Sequence, residues 1–331
     1  MPASTITLPA HAKINLALSV GAPVPPKGYH PIASWFAPIG LHDTVRLTRL
    51  REGEVSRYTI RWAELGDGLP APKPTPIDWP VEKDLAVRAH RMLEARVGRS
   101  LPVHLELIKR TPVGGGLGGG SSDAAAALIG LTRLFGLPLS HADLARESVA
   151  LGADVAFFLD DTIPLTMGTP ALGNTDDPGP PTSPRPALVT GFGERIERIN
   201  APAITGVLLL IPPFGCPTGP VYAAYDAGQT HKVDEARVCG LIASGAPGSG
   251  QPLDPARLFN DLAEPACVVE PRLRGVLDTL RGLSPHRVHV TGSGSTLFVI
   301  PDPAHPTTLA DLAAKAEALA PELVVIPSMT L

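Results

Sequence analysis

Six glycines fall within seven positions of the segment TPVGGGLGGGSSDAAAAL, and two serines and a run of alanines follow them. Each glycine costs folding entropy relative to alanine, so the cluster needs a compensating reason, such as positive-φ turns or a ligand held against bare backbone. Successive glycine N–H groups, with serines at the positive end of a helix, form a binding site for a polyphosphate. The segment therefore predicts phosphate chemistry.

Three common glycine-rich motifs fit this segment poorly. Gly114, Gly116 and Gly119 satisfy GxGxxG, but a dinucleotide fold needs a parallel strand after the helix, where this sequence continues into another helix. A Walker A loop is excluded because no lysine precedes the serines. Protein kinases are excluded because the HRD and DFG motifs are missing. A solvent-exposed linker, the remaining alternative, has no reason to lead into an alanine-rich helix.

Length and composition favour a two-domain protein that binds small molecules. The chain has 331 residues, and 28 basic against 32 acidic side chains give a net charge of −4. No basic block suggests a nucleic-acid partner. Cys216, Cys239 and Cys267 are too scattered for a zinc site or a disulfide framework, which favours the cytoplasm. The longest apolar run, GVLLLI, is too short to span a membrane, so no membrane partner is expected.

The elements around the glycine segment are predicted by periodicity and capping. AKINLALSV alternates and predicts a half-buried strand with Lys13 on its polar face. DLAVRAHRMLEARVG has helical spacing and stops at a glycine. A helix capped by one of the two serines should run to about Phe135, and a capping box at Ser140 should begin another that ends at Gly152. Asp154 follows that end immediately.

The second half has its own set of elements. The Pro- and Gly-rich stretch from Asp160 to Pro186 predicts a long exposed connection that contains the domain boundary. We assign residues 1–165 to the first domain, 166–186 to the connection and 187–331 to the second domain. The elements expected in the second domain are a strand at 204–211, a helix from about Pro220, helices near Leu258 and Arg272, two strands joined by a glycine turn in RVHVTGSGSTLFVI, a helix at 309–319 and a strand at LVVI.

Four segments together resemble one kinase superfamily. PVGGGLGGGSSDAAAAL is similar to the phosphate loop of the galactokinase, homoserine kinase, mevalonate kinase and phosphomevalonate kinase (GHMP) superfamily. PAHAKINLAL resembles its N-terminal motif, LGADVAFFL the segment that carries the catalytic acid, and VTGSGSTLFVI the C-terminal glycine motif. Among the branches, KGYH, LGADV and PTGPVYAAYD most resemble the 4-diphosphocytidyl-2-C-methyl-D-erythritol kinases of the non-mevalonate isoprenoid pathway.

The resemblance implies a fold and an activity. The fold is α+β with two domains: an N-terminal ribosomal-protein-like α/β domain, a C-terminal ferredoxin-like domain, and an active site in the cleft between them. The activity is phosphorylation of the 2-hydroxyl of a cytidine diphosphate derivative, with ATP and Mg²⁺, by a monomer or homodimer. Alternatives are a mevalonate- or homoserine-type kinase and a catalytically silent nucleotide sensor. The sensor is disfavoured because both Lys13 and Asp154 are present.

The resemblance also assigns roles to residues. Asp154 would act as general base on the substrate hydroxyl, and Lys13 would offset the developing charge. Mg²⁺ would be bound through Ser121 or Ser122. The residues implied for ATP are Lys109, Pro112, Val113, Gly114, Gly115, Gly116, Leu117, Gly118, Gly119, Gly120, Ser121 and Ser122. The residues implied for the substrate are Asn15, Tyr29, His30, Thr218 and Tyr222.

Some positions carry a second interpretation or depart from the family pattern. Core packing against Tyr225 accounts for Tyr222 as well as stacking on cytosine does. Asp84 stands where the family usually has asparagine near the adenine, and Ala156 stands where it usually has proline. These two departures bear on nucleotide affinity.

Overall fold

The computed structural model describes residues 4–26, 28–64, 77–166, 183–200, 206–228, 232–245 and 253–331. Most of the connection expected at 166–186, and the start of the strand expected at 204–211, lie outside these ranges. Within them, no helix is both long and apolar enough to cross a membrane.

Strands and helices are mixed along the chain. The strands are β1 (Thr5–Val20), β2 (Ile32–Arg49), β3 (Arg57–Trp62), β4 (Val103–Lys109), β5 (Ala187–Gly191), β6 (Arg195–Arg198), β7 (Val207–Ile211), β8 (Phe259–Asn260), β9 (Val288–Val290), β10 (Leu297–Val299) and β11 (Val324–Ser328). The α-helices are α1 (Leu85–Val97), α2 (Gly119–Phe135), α3 (His141–Ser148), α4 (Thr218–Asp226), α5 (Glu235–Gly245), α6 (Ala263–Val269), α7 (Pro271–Leu280) and α8 (Leu309–Leu319).

Within the described residues, the first sheet has seven strands. Its order is β3-β4-β2-β1-β8, and β5 and β6 extend it from the free half of β2. The long β2 pairs with β4 along 44–49 and with β5 along 32–36. The expected start of the second domain at 187 is therefore too early, because residues 187–198 complete the first sheet. Ala187 and Val189 are buried in the core of that first domain, whereas Leu188, on the opposite face of β5, packs with residues of the second sheet.

The second sheet has the order β11-β7-β10-β9 and is antiparallel throughout. With α4, α6 and α7 after β7, and α8 between β10 and β11, the unit is a ferredoxin-like βαββαβ arrangement. The two-domain α+β fold is confirmed. The two strands around the glycine turn and the 309–319 helix were also predicted correctly.

From Ala12 to Val20 the central strand β1 is buried on both faces, so the half-buried strand expected there is wrong. One face packs on the first domain's helices through Ile6 and Leu8, whereas Ile14 and Leu16 pack with residues of the second sheet. Lys13, Asn15 and Ser19 are buried as well. A strand between two layers has no solvent face, so its polar side chains line an internal cleft or pair with one another.

Helix α2 begins earlier than expected. Its N-cap is Gly118 in the left-handed conformation, which places both serines in the first turn rather than at the cap. Its left-handed end at Gly136 was predicted. The capping box of Ser140 and Asp143 is confirmed. Helix α3 ends at Ser148, and a 3₁₀ turn over Ala153–Phe158 then carries Asp154.

The helix expected near Leu258 is a short strand instead. A 3₁₀ turn at Pro255–Arg257 leads into β8, which pairs in parallel with β1. The Asn260 side chain donates hydrogen bonds to the carbonyls of Val290 and Gly292, both at 2.8 Å. Strand β8 therefore ties the C-terminal glycine turn to the first sheet.

One buried carboxylate joins the catalytic-acid segment to the strands that follow the connection. Asp160 accepts hydrogen bonds from the backbone and side chain of both Thr162 and Arg185, and it pairs with Arg198 at 3.2 Å. Burial acts to raise the pKa of Asp160, but the hydrogen bonds from Arg185 and Thr162 and the charge of Arg198 hold it well below its ordinary value.

Asp160→Asn should lower the free energy of unfolding by about 3 kcal/mol at neutral pH, because two arginines lose a buried charged partner. A depressed pKa in the folded state stabilises the protein above the unfolded pKa of about 4 and loses that effect as the pH falls below it. The gap between wild type and variant should therefore narrow progressively as the pH falls below about 4, toward the depressed pKa of Asp160 in the folded state.

Urea unfolding at several pH values would measure this gap. Asp161→Asn is the matched control: its side chain is 75% exposed, so its loss should cost under about 0.5 kcal/mol. If the two variants lowered the free energy of unfolding equally, Asp160 would not be the residue that joins these segments.

Candidate active site

A cleft of about 710 Å³ lies between the two halves of the fold. The glycine segment forms its floor, β1 and the Asp154 turn form one wall, and α4 with the C-terminal glycine turn forms another. At the far end lie the residues just before and at the start of α1.

The glycine segment needs glycine for two physical reasons. Gly114, Gly116 and Gly118 have φ values of 69°, 75° and 68°, which other residues adopt only with strain. In addition, a Cβ on Gly116 would lie 2.3 Å from the carbonyl oxygen of Thr291. A Cβ on Gly118 would lie 3.2 Å from the side chain of Lys13. The bare backbone therefore lets the loop touch both the second domain and β1.

The loop leads directly into the positive end of α2. Gly119, Gly120 and Ser121 line the cleft, and the N–H groups of a first helical turn have no carbonyl partner within the helix. Such a terminus attracts anions. Ser122 is buried and faces a separate small cavity, so Ser121 is the serine at the cleft.

Lys13 lies where β1, the glycine loop and the Asp154 turn meet. Its Nζ donates to Asn15 Oδ1 at 2.8 Å and to the Gly116 carbonyl at 3.0 Å, and it lies 3.7 Å from Asp154 Oδ2. The side chain is only 4% exposed. Burial lowers the pKa of Lys13, and the charge of Asp154 opposes that shift.

Asp154 is the more accessible partner, with 31% of its side chain exposed at the cleft. The 3₁₀ turn after Gly152 presents it next to Lys13. Its charge also reaches Tyr222: burial and Asp154 together raise the pKa of Tyr222 to about 12. An accessible carboxylate beside a buried ammonium group can take a proton from a bound hydroxyl.

Asn15 is held rigidly behind this pair. Its Nδ2 donates to Ser34 Oγ at 2.9 Å, while its backbone N–H donates to Thr291 Oγ1 at 3.0 Å. Because its Oδ1 accepts from Lys13, Asn15 fixes the position of the ammonium group.

Lys109 bridges two carboxylates. Its Nζ donates to Asp43 and Asp123, both fully buried, and Asp43 also accepts from the backbone N–H groups of Arg110 and Thr111. Burial acts to lower the pKa of Lys109, but the charges of Asp123 and Asp43 outweigh it and raise the pKa. Burial raises the pKa of Asp123 well above its ordinary value. The lysine fixes the start of the loop to α2, and its contact with ATP stays a prediction.

The aromatic residues of α4 have different surroundings. Tyr225 is buried and its hydroxyl donates to the carbonyl of Val20. Tyr222 lines the cleft, and its ring centroid lies 4.7 Å from that of His30. Tyr225 is therefore a core residue, and the stacking of Tyr222 on the substrate base stays a prediction.

The three other residues expected at the substrate differ in position: Thr218 lines the cleft, whereas His30 and Tyr29 are not among its lining residues. His30 Nε2 is 2.7 Å from Asp226 Oδ1, which fixes the ring against Tyr222. Thr218 Oγ1 lies 3.0 Å from Ser293 Oγ at the cleft wall. Tyr29 is 58% exposed, with its ring 6.3 Å from that of Phe192, and is not part of the cleft lining.

Sequence reasoning missed several cleft or support residues, among them Asp43, Trp79, Asp123 and Ser293. Asp123 follows the two serines directly and Ser293 lies in the C-terminal glycine motif, so both could have been found by extending the motifs. Asp43 and Trp79 carry no local signal, because only the fold brings them to the site. Asp84 is the N-cap of α1.

The comparisons with known proteins agree with this geometry. Residues 84–162 match the family model of the GHMP kinases N terminal domain. The chain is 34% identical over 298 residues to the 4-diphosphocytidyl-2-C-methyl-D-erythritol kinase of Moorella thermoacetica, covering 88% of this chain and 89% of that one. It is 33% identical over 306 residues to the kinase of the same name from Polynucleobacter asymbioticus, covering 91% and 86%.

A solved structure supports the same assignment. The crystal structure of a 4-(cytidine 5'-diphospho)-2C-methyl-D-erythritol kinase has a TM-score of 0.67 and 28% identity, and the match covers 98% of this chain and 99% of that one. Because the sequence relatives match along nearly their whole length, the chain is a kinase and belongs to the 4-diphosphocytidyl-2-C-methyl-D-erythritol kinase family of the GHMP superfamily.

Proposed function

We propose that the chain transfers the γ-phosphoryl group of ATP to the 2-hydroxyl of 4-diphosphocytidyl-2-C-methyl-D-erythritol. The observation that carries the proposal is the contact of Asp154 and Lys13 beside the glycine loop and the positive end of α2. A hydroxyl bound at Asp154 would face phosphates bound at the loop. Tyr222 lines the cleft near Asp154, and His30 packs against the Tyr222 ring, so the pair fits an acceptor that carries a base.

The roles of the residues follow from their positions. Asp154 takes the proton of the substrate hydroxyl as its oxygen attacks the γ-phosphorus, and the bond to the β-phosphate oxygen breaks to leave ADP. Lys13 offsets negative charge that develops at the reacting oxygens. The backbone N–H groups at the start of α2 bind the phosphates in a fixed orientation, which needs no rearrangement during the reaction.

The cleft offers the oxygen ligands that Mg²⁺ prefers. Ser121 Oγ and the Asp154 carboxylate both line it near the expected phosphates. When bound, the ion would neutralise phosphate charge. Among the described residues, no cluster of three or more His, Cys, Asp or Glu side chains could hold a metal. We assign Ser121 as the protein ligand.

We further propose that the enzyme acts in the cytoplasm, where reducing conditions suit its three separated cysteines. A monomer and a homodimer are both compatible with a site built from one chain, and sedimentation would distinguish them.

Asp154→Asn should cut kcat by about a hundredfold or more, because a general base contributes roughly 10² to 10⁴ in rate. The dissociation constant of ATP should change little, since Asp154 acts on the alcohol. ADP release and calorimetric ATP binding would measure the two quantities, with mevalonate and homoserine as control acceptors. A variant with near-wild-type kcat would remove Asp154 from this role.

The acceptor base provides a second test. Cytosine presents an unprotonated N3 and an exocyclic amine, whereas uracil presents an N–H and a carbonyl, so a site that reads one edge is mismatched to the other. The uridine analogue should lose about 1 to 3 kcal/mol in kcat/KM. His30→Ala should reduce the ratio of kcat/KM between the cytidine and uridine substrates, because we propose that the His30 ring contacts the hydrogen-bonding edge of the base.

Tyr222→Ala should weaken both analogues alike, by about 1 to 3 kcal/mol, because stacking does not discriminate between the two pyrimidines. Measuring kcat/KM for both analogues in the wild type and the two variants completes the test. Equal rates for cytidine and uridine substrates in the wild type would overturn the acceptor assignment and leave the kinase assignment intact.

A further inference from the structure

A tryptophan lines the cleft beside the start of α1. Trp79 lies there with Lys83, Asp84 and Leu85. The first turn of α2 connects this part of the cleft to the catalytic pair: its N-cap Gly118 lies against Lys13, whereas a Cβ on Gly120 would lie 3.4 Å from Leu85 Cδ1. The start of α2 therefore leads from the catalytic pair toward Trp79.

The indole ring is fixed at its polar edge. Trp79 Nε1 donates to Asp84 Oδ2 at 3.2 Å, and Asp84 Oδ1 accepts from the Ala86 N–H at 2.9 Å as the N-cap of α1. Asp84 is buried. Pro80 follows Trp79 and restricts its backbone further. A cleft residue with this many restraints loses little entropy when a ligand stacks on it.

An aspartate suits this arrangement better than an asparagine. The carboxylate of Asp84 accepts two hydrogen bonds, one with each oxygen. An asparagine that capped Ala86 through its carbonyl oxygen would direct its NH₂ group at the indole N–H, and two donors would face each other. Asp84 and Trp79 are therefore complementary.

The direction of the bound nucleotide follows from the proposed function, on which this inference rests. The γ-phosphate must lie beside the hydroxyl at Asp154, and the acceptor occupies the side of Tyr222, whose pKa the Asp154 charge helps to raise. The nucleoside of ATP must then extend the other way, past the first turn of α2 toward Trp79. We propose that Trp79, held by Asp84, is the stacking platform for the adenine ring of ATP.

Binding measurements without the acceptor test this proposal. Trp79→Leu should raise the dissociation constant of ATP by about 5- to 100-fold, the loss expected for one base stack. Tripolyphosphate, which has no base, should bind the wild type and the variant equally. The dissociation constant of Trp79→Phe for ATP should stay within about threefold of wild type, and this variant should lose the ATP-induced quenching of tryptophan fluorescence. The dissociation constant of Asp84→Asn should lie between those of Trp79→Phe and Trp79→Leu.

The outcomes separate the alternatives. An unchanged ATP affinity in Trp79→Leu would overturn the proposal, as would an equal loss of tripolyphosphate binding, which would indicate a damaged loop. If thermal denaturation shows that Trp79→Leu is not folded, Trp79→Phe and Asp84→Asn still test the proposal: retained fluorescence quenching in Trp79→Phe, or an unchanged ATP affinity in Asp84→Asn, would overturn it. A chain that binds ATP through Trp79 and does not phosphorylate the cytidine alcohol would contradict the proposed function and leave this inference standing.

Discussion

The buried ammonium group of Lys13 is the interaction on which the site depends. A charge this deeply buried must be paired, and each of its partners belongs to a different part of the chain: Asn15 on β1, the Gly116 carbonyl in the loop, and Asp154 on the turn after α3. Satisfying one cation therefore fixes the relative position of strand β1, the glycine loop and the Asp154 carboxylate. The same burial lowers the pKa of Lys13. A lysine pKa perturbed by burial is typical of a functional site and not of an ion pair on the surface.

The glycine loop is also what joins the two domains. Gly116 packs backbone to backbone against Thr291 and Gly292, and Thr291 receives the N–H of Asn15. Asn260 binds the carbonyl of Gly292 from the other side. The glycine loop, β1 and the C-terminal glycine turn therefore hold one another in place around the cleft. The catalysis proposed for the oriented N–H groups depends on this rigidity, because a donor that must move to the developing charge stabilises it less.

Local signals in the sequence predicted local structure well. The capping box at Ser140, the glycine ends of α1 and α2, and the 309–319 helix depend on residues within a few positions of each other. Non-local pairing was not predictable in this way. The alternation of apolar and polar residues in β1 predicts two faces, but it does not show that a second sheet covers one of them. Likewise, the sequence of β5 (ALVTG) does not indicate which strand edge it pairs with. The four matching motifs identified the cleft, whereas Trp79 and Asp43 reach it only through the fold.

The cluster of Asp43, Lys109 and Asp123 shows why a lysine near a phosphate loop need not be a phosphate ligand. Two carboxylates bind its ammonium group, so the three side chains together carry net negative charge with Asp123 ionised and none with it protonated. In neither state does the cluster supply a free positive charge. Burial raises the pKa of Asp123 and so favours the neutral state. In the proposed function, Lys13 and the backbone N–H groups of the loop and α2 attract the phosphates, and this use of bare backbone offsets the entropic cost of the six glycines.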